Sequence, residues 1–440
     1  MRFDTLDAWL AWLEGLHPRS IELGLERVRR VAAALGLDAP PPCPVITVAG
    51  TNGKGSSVAL LEAILAAAGY RVATYTSPHL LRYNERVRVG GREAGDAELC
   101  AAFERVDRAR GDVSLTYFEF GTLAAFDHFA RARPDVAVLE VGMGGRLDAV
   151  NLVDPDVALV TGIAIDHVDW LGPDREAIGA EKAGIFRYGR PAVCGDPDPP
   201  RSLVAAAAAV GAGLHRIGRD FGYEAAASAG GAWSWWGGGI RREALPAPAL
   251  AGGFQCRNAA GALMALRLLE DRLDVGRAAL EEGLRSVSLA GRFQGLLVDG
   301  VPCILDVAHN LEGAQALART LAERPVPGRT LAVAAILGDK DIDGMISSLA
   351  GVVDAWYLGA LTVERAAPVE RLRAGILLHA PEAGVSVCAD PPAAVRTARS
   401  AARPGDRIVV FGSFYTVAAV MRALGGGVID ASSELESARS

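Results

Sequence analysis

The chain has 440 residues, half of them hydrophobic, with 45 basic against 52 acidic side chains and a net charge of −7. That length holds two or three domains with real cores. The mild acidity, with no block of like charge, argues against nucleic acid or an anionic membrane as the main partner. Cys43, Cys100, Cys194, Cys256, Cys303 and Cys388 are scattered without a CxxC pair, which reads as a reduced, cytoplasmic chain lacking structural zinc.

Residues 4–15 and 24–36 carry two amphipathic helical patterns joined by a short link. The first has acidic residues among its apolar ones and is no signal peptide, and no apolar run approaches a membrane span. APPPCP closes this unit. Residues 45–57 then read VITVAGTNGKGSS: a β-branched strand, a glycine-rich turn, and the start of a helix. Backbone N–H groups of such a turn approach an anion, the helix N-terminus adds positive potential, and Lys54 supplies a mobile charge. Ser56 or Ser57 is placed to reach an accompanying Mg²⁺. The spacing is not the standard Walker one, and glycine-rich turns also arise for steric reasons alone. Lysine, hydroxyls and flanking periodicities together favour nucleotide binding.

Further strands are expected at 71–75, 136–141, 157–163 and 191–194, alternating with helices such as 96–110 and 120–132. Near-continuous apolar strands between helices imply a parallel sheet covered on both faces, with ligands at the carboxyl ends of strands. Residues 218–250 are rich in Gly and Trp and read as a few antiparallel strands, with Trp233, Trp235 and Trp236 as packing. Helices follow at 258–269 and 276–286. From about residue 288 the alternation restarts, with strands at 302–307, 330–336, 355–358, 385–388 and 407–411. The expected organisation is α/β: a P-loop-type parallel-sheet ATPase domain over 1–290 with a small β-rich edge near 218–250, and a second, smaller Rossmann-like α/β domain over 291–425. A polar tail, 426–440, frays at its end.

Several side chains invite chemistry. Glu140 sits inside the apolar run DVAVLEVGMGG, where a carboxylate is costly unless paired or metal-bound; Arg146 is the available partner, a nucleotide-borne Mg²⁺ the favoured one. Asp166 and His167 emerge from the next strand, although Mg²⁺ usually prefers oxygen ligands. Lys182 lies on an apolar helical face near Glu181 and Glu176, either salt-bridged or carbamylated by CO₂ into a metal-binding carboxylate. Ser77 follows a strand in TSPH and offers a hydroxyl or a plain turn. In the second domain LDVAHN places Asp306, His309 and Asn310 past a strand end, and LAGRFQ places Arg292 between the domains, so that both could face a nucleotide. There is no HExxH and no GxSxG.

AGTNGKGSS, TSPHLLRYNERV, LEVGMGGRLDAVN, IAIDHVDWLG, EKAGIFR, NAAGALMAL, GRFQ, LDVAHN, GDKD and GSFYTV occur in this order. With them the chain closely resembles the bacterial folylpolyglutamate synthase/dihydrofolate synthases, a folate branch of the Mur-ligase-like amide ligases, from about residue 6 to about residue 424. The resemblance implies that Gly50, Thr51, Asn52, Gly53, Lys54, Gly55 and Ser56 cradle the ATP phosphates. It implies that Ser77, Glu140 and His167 bind one Mg²⁺, and that carbamylated Lys182 helps hold a second. Asn258, Arg292 and Asp306 match ATP contacts, and His309 a nearby catalytic position. Ile21, Glu22, Leu23 and Gly24, with Thr116, Tyr117, Phe118 and Glu119, resemble a pterin-side pocket.

The implied reaction adds L-glutamate to 7,8-dihydropteroate and to reduced folates through an acyl phosphate, in a cytoplasmic monomer without nucleic-acid or membrane partners. Ala290 and Leu311 replace prolines common in the family, Val150 replaces a frequent threonine, and Gly338 stands at a variable position. None removes an implied ligand. A peptidoglycan Mur ligase is the nearest rival, but its extra leading domain would not fit in the 49 residues before Gly50. A nucleotide-gated regulatory module is the other, and two α/β domains with separate metal candidates argue against it.

Overall fold

A computed structural model describes residues 2–225 and 231–425; the expected polar tail lies outside them, as does part of the Gly- and Trp-rich stretch. The chain folds as two compact units, Met1–Ala249 with Gln255–Val287, and Leu250–Phe254 with Ser288–Ser440. No described helix is long and apolar enough to cross a membrane.

The strands of the first unit are β1 (Val45–Ala49), β2 (Val72–Tyr75), β3 (Val87–Val89), β4 (Arg92–Glu93), β5 (Val136–Glu140), β6 (Val157–Val160), β7 (Pro191–Cys194) and β8 (Gly213–Arg216). They form one sheet in the order β4-β3-β2-β5-β1-β6-β7-β8. From β2 to β8 the pairing is parallel, as the apolar runs predict. The edge is not: β3 pairs antiparallel with β2 on one side and with β4 on the other. They are a hairpin on Gly90 and Gly91, whose φ of 60° and 73° suit a two-residue turn matching strand twist. Strands of three and two residues are too short to show a period.

Helices α1 (Leu6–Glu14), α2 (Glu26–Leu35), α3 (Lys54–Ala67), α4 (Asp96–Arg110), α5 (Tyr117–Ala132), α6 (Val168–Leu171), α7 (Arg175–Ala183) and α8 (Arg201–Val210) complete the alternation. Trp9 of α1, Phe103 of α4 and Phe120 of α5 are fully buried and meet edge-on, Phe103 and Phe120 at 5.5 Å. That contact fixes the segment between α1 and α2 beside the start of α5. A separate three-stranded antiparallel sheet, β9 (Phe221–Glu224), β10 (Trp233–Gly237) and β11 (Ile240–Leu245), buries Trp233 and Trp235. Their indole N–H groups donate to Pro246 O at 2.8 Å and Ala260 O at 3.1 Å, so both tryptophans serve packing. Helices α9 (Phe254–Arg267) and α10 (Arg277–Ser286) follow. A Cβ on Gly283 of α10 would lie 2.5 Å from Ile64 Cα of α3, so that glycine sets the approach of the two helices.

The second unit has β12 (Gln294–Val298), β13 (Val301–Leu305), β14 (Thr330–Ala334), β15 (Ala355–Gly359), β16 (Gly384–Cys388) and β17 (Arg407–Phe411), in the order β12-β13-β17-β14-β15-β16. All pairs are parallel except β12–β13. That hairpin, unmarked in the sequence reading, turns on Asp299 and Gly300 at φ 46° and 82°. Helices α11 (Leu311–Glu323), α12 (Ile342–Leu349), α13 (Val369–His379), α14 (Pro391–Ala401) and α15 (Phe414–Ala423) cover it. Its core includes fully buried Trp356, Phe411 and Leu349.

Candidate active site

The phosphate loop leaves β1, a central strand buried along its length. Gly50 at φ 150° runs so close to Thr161 that a Cβ would overlap its hydroxyl. That hydroxyl donates to Asn52 O at 2.7 Å, Thr51 N donates to Gly162 O at 2.7 Å, and Thr51 Oγ1 donates to Ala164 O at 3.0 Å. The loop is thereby held to the segment leaving β6. Gly53, at φ 90°, caps α3, and a Cβ there would lie 2.6 Å from Asn258 Oδ1 of α9. Gly50 and Gly53 therefore have no substitute with a side chain. Gln255 Nε2 reaches Ser56 Oγ at 3.4 Å and Asn258 Nδ2 donates to Gln255 Oε1 at 2.9 Å, bringing α9 onto the loop. Lys54 folds its ammonium back onto Gly50 O at 3.0 Å and Thr51 O at 3.1 Å. Gly55 follows in the first turn of α3.

Parallel register brings the other candidates to the same level. Glu140 lies beside Val48, and Leu139 beside Tyr75. Ser77, just past β2, presents its N–H to Glu140 Oε2 at 3.4 Å. Glu140 is only 4% exposed, and Arg146 pairs instead with Glu181 at 2.7 Å. His167, past β6, is exposed and holds left-handed backbone at φ 52°. Among the described residues no three His, Cys, Asp or Glu side chains form a ready metal cage; a cation carried on nucleotide phosphates needs few protein ligands.

Lys182 is 3% exposed. Neither neighbouring carboxylate neutralises it: Glu181 serves Arg146, and Glu176 accepts from Arg201 N and Ser202 N at the start of α8. Burial first, and the Lys54 charge second, pull its ammonium down to about 7, against the opposing carboxylates of Asp166 and Asp148. Asp148 is the reverse case: burial pushes it up to about 6, offset by N–H donors and Lys54. Its oxygens accept from Met143 N at 2.8 Å and Val150 N at 2.9 Å, which shapes the loop after β5. Sequence reasoning passed over Asp148, whose only signal was its place between two glycines and an Asn.

Ile21, Glu22, Leu23 and Gly24 come together with Thr116, Tyr117, Phe118 and Glu119 through a residue the sequence did not flag. Arg27 pairs with Glu22 and, at 2.9 Å, with the 4%-exposed Glu119. Glu119 also closes a capping box with Thr116, accepting its N–H at 2.8 Å. His17 touches Glu22 at 3.2 Å and Ser114 at 2.7 Å; His17 first, with Arg27, holds the Glu22 carboxyl below its ordinary value against some burial. Gly24 N donates to Leu147 O at 3.2 Å, and the Phe118 ring stands against Gly142, 2.5 Å from where a Cβ would be. Three segments, 21–24, 116–119 and 142–148, thus form one wall.

In the second unit Arg292 lies over the Phe414 ring at 5.3 Å, and the His309 ring is 5.9 Å from the same aromatic. Asp306 accepts from Phe293 N at 2.9 Å and Ala308 N at 2.8 Å. Burial raises its carboxyl above the ordinary value, with Arg292 the leading opposing charge. Arg292, Asp306 and His309 therefore share one corner at the ends of β13 and β17, organised by Phe414, which the sequence reading left unassigned. Leu311, where proline is common, is the first residue of α11, and Asn310 still caps that helix by accepting from Gly313 N at 2.9 Å.

Comparison with known proteins gives a consistent picture. Residues 48–208 match the Mur ligase middle domain and residues 291–414 the Mur ligase glutamate ligase domain. The chain is 47% identical over 420 residues, 95% of each chain, to the dihydrofolate synthase/folylpolyglutamate synthase of Escherichia coli strain K12. It superposes on a solved structure of E. coli FolC in complex with DHPP and ADP with a TM-score of 0.89 and 46% identity, covering 96% of this chain and 98% of that one. It likewise superposes, with a TM-score of 0.88, 46% identity and the same coverage of 96% and 98%, on a bifunctional folylpolyglutamate synthase/dihydrofolate synthase from Yersinia pestis complexed with AMPPNP and Mn ion.

Proposed function

The chain belongs to the dihydrofolate synthase/folylpolyglutamate synthase family of ATP-dependent Mur-type ligases, and we propose that it joins L-glutamate to both 7,8-dihydropteroate and reduced folates. ATP supplies the phosphoryl group: the acceptor carboxylate takes the γ-phosphoryl, ADP leaves, and the glutamate amine displaces phosphate from the acyl phosphate with loss of a proton. The observation that carries this reading is the convergence of the glycine loop and Glu140 at the carboxyl ends of the neighbouring parallel strands β1 and β5, with the buried Lys182 of α7 near enough for the Lys54 charge to lower its ammonium. It is supported by near full-length likeness to relatives holding nucleotide and DHPP.

Gly50, Thr51, Asn52, Gly53, Gly55 and Ser56 direct backbone N–H groups and a hydroxyl toward the phosphates, and Lys54 swings from its own loop carbonyls onto the outer phosphates. Ser77, whose backbone N–H meets Glu140, and the buried Glu140 carboxylate are assigned to a hard cation, which takes oxygen ligands; His167 is assigned to the same set. Bound there, Mg²⁺ would offset the phosphate charge. Lys182 is suited to carbamylation: with its ammonium pulled down to about 7, a neutral amine is available to add CO₂ and release a proton. The product is an anion where Lys54 disfavours a cation.

Ile21, Glu22, Leu23 and Gly24 with Thr116, Tyr117, Phe118 and Glu119 are assigned to the pterin, and Asp148 is added to them because its loop forms the third segment of that wall. Asn258, Arg292 and Asp306 are assigned to the nucleotide, and His309 to a catalytic role beside Arg292. No enzyme-bound covalent intermediate is needed, so catalysis rests on alignment and charge stabilisation. A cytoplasmic monomer is proposed as the working form; six free cysteines, most of them buried, suit a reducing compartment.

The test is ADP release by the purified protein with Mg-ATP and L-glutamate, adding either 7,8-dihydropteroate or tetrahydrofolate. Turnover with both is expected. Turnover with one alone would limit the protein to a single step, and silence with both would sink the proposal.

A further inference from the structure

Several half-buried arginines of the first unit are tied to carboxylates: Arg27 to Glu119, Arg105 to Asp127, Arg187 to Asp154. Arg86 is half-buried, yet no carboxylate among the described residues pairs with it. Its Nε donates to His79 Nδ1 at 2.8 Å. Its guanidinium lies 5.4 Å from the Tyr83 ring centroid and 5.7 Å from that of Tyr117. Aromatic faces steady the plane of a guanidinium but take none of its N–H donors. The two Nη groups are left as a fork of the kind that binds a carboxylate bidentately.

The position of that fork is informative. Arg86 O accepts from Thr76 N at 2.9 Å, next to Ser77, whose own N–H faces Glu140. On the other side Tyr117 is adjacent in the chain to Phe118, which packs on the 142–148 loop. Arg86 therefore sits between the acyl-activation end of the site and the pterin wall. The two acyl acceptors differ in that interval. Dihydropteroate carries one carboxylate, which reacts. A reduced folate carries an added glutamyl residue whose γ-carboxylate reacts and whose α-carboxylate must be held without reacting. An anion left uncompensated close to Glu140 and the ATP phosphates would be repelled.

We propose that Arg86, oriented by His79 and clasped between Tyr83 and Tyr117, binds the α-carboxylate of the glutamyl residue already on the folate, and so serves the second ligation and not the first. This rests on the bifunctional reading above. The experiment compares wild type, Arg86→Gln and Arg86→Lys in ADP release with Mg-ATP and L-glutamate, titrating either 7,8-dihydropteroate or tetrahydrofolate. The Gln variant should lose about 10- to 100-fold in kcat/KM for tetrahydrofolate, the range of a hydrogen bond to a charged group, and change less than about threefold for dihydropteroate. The Lys variant, a point charge without the fork, should recover part of the loss. Wild type given tetrahydrofolate with its α-carboxylate converted to the amide should show the same loss, and the Gln variant should no longer distinguish the two folates.

Equal losses on both acyl acceptors, or wild-type turnover of the α-amide as fast as of the acid, would overturn the assignment; the second arm needs no variant to fold. A wild type that turns over dihydropteroate but no folate would remove the bifunctional reading itself, and this inference with it.

Discussion

Replacing Lys182 with methionine should make the protein more stable and end its catalysis. The argument starts from burial: a lysine 3% exposed, with its ammonium pulled from 10.5 down to about 7. At about 1.4 kcal/mol for each tenfold change in proton affinity, the bare ammonium costs the fold up to roughly 5 kcal/mol well below pH 7 and about 4 kcal/mol at pH 7. The sign is that of a lowered base. Above 10.5 both folded and unfolded lysines are neutral and the cost vanishes; it grows as pH falls from 10.5 to 7 and is constant below that. Methionine has similar length and no charge, so Lys182→Met should remove the cost without leaving a cavity.

The assay is thermal unfolding of wild type and variant, in buffer freed of CO₂ and divalent metal, at several pH values. At pH 7 the variant should melt several degrees higher, and the gap should close as pH approaches 10.5. Added bicarbonate should stabilise wild type alone. ADP release by the variant should fall at least about a hundredfold, the loss expected of a group acting on transition-state charge. A variant less stable than wild type at pH 7, or a gap indifferent to pH, would refute the reasoning, because it would mean that a partner neutralises Lys182.

Three other substitutions probe the walls of the site. Gly50→Ala should raise KM for ATP more than about tenfold and lower stability by about 2 kcal/mol, since its Cβ falls on the Thr161 hydroxyl that holds the loop; nucleotide titration and melting read both effects. Arg27→Ala leaves the buried Glu119 charge alone, a change that costs about 3–5 kcal/mol in a buried pair. KM for dihydropteroate should rise with KM for ATP unchanged. Asp148 loses its charge as pH falls through about 6, weakening its hold on Met143 and Val150 N–H. Wild-type kcat/KM for dihydropteroate should therefore decline below pH 6, and Asp148→Asn should lack that acid limb in a pH profile.

The central parallel strands were legible because each is a short, wholly apolar run, and burial on both faces demands that composition. The two hairpin strands, β3 with β4 and β12 facing β13, were not. Their residues alternate polar and apolar for too few positions, and the information sits in the two-residue turns Gly90-Gly91 and Asp299-Gly300. Gly-Gly and Asp-Gly are the dipeptides that such two-residue turns favour. The expected bounds of α4, 96–110, agree with the structure although Gly95 offers no side-chain cap, whereas α5 begins three residues before the expected 120, at the turn that Thr116 caps.

The site divides by how its residues carry their roles. Gly50, Gly53 and Lys54 act through a local motif a dozen residues long, so the sequence displays them together. Arg27 and Asp148 act through partners far away in the chain: Arg27 meets Glu119 across 92 residues. No local pattern encodes such a pair; the only clue is a charge placed where burial would be costly, which the sequence shows for Glu140 inside its strand and hides for Asp148 in a loop. Lys182 shows the limit of reading residue types. Its neighbours Glu176 and Glu181 are the natural partners on a helix, yet both are taken, by the start of α8 and by Arg146. What sets Lys182 apart is that the carboxylates of its own helix bind elsewhere, so that burial and the Lys54 charge outweigh Asp166 and Asp148 and favour the neutral amine. A chain that tolerates such a cost in its core must recover it in what the amine does, and for that reason the stability of Lys182→Met discriminates more sharply than its activity.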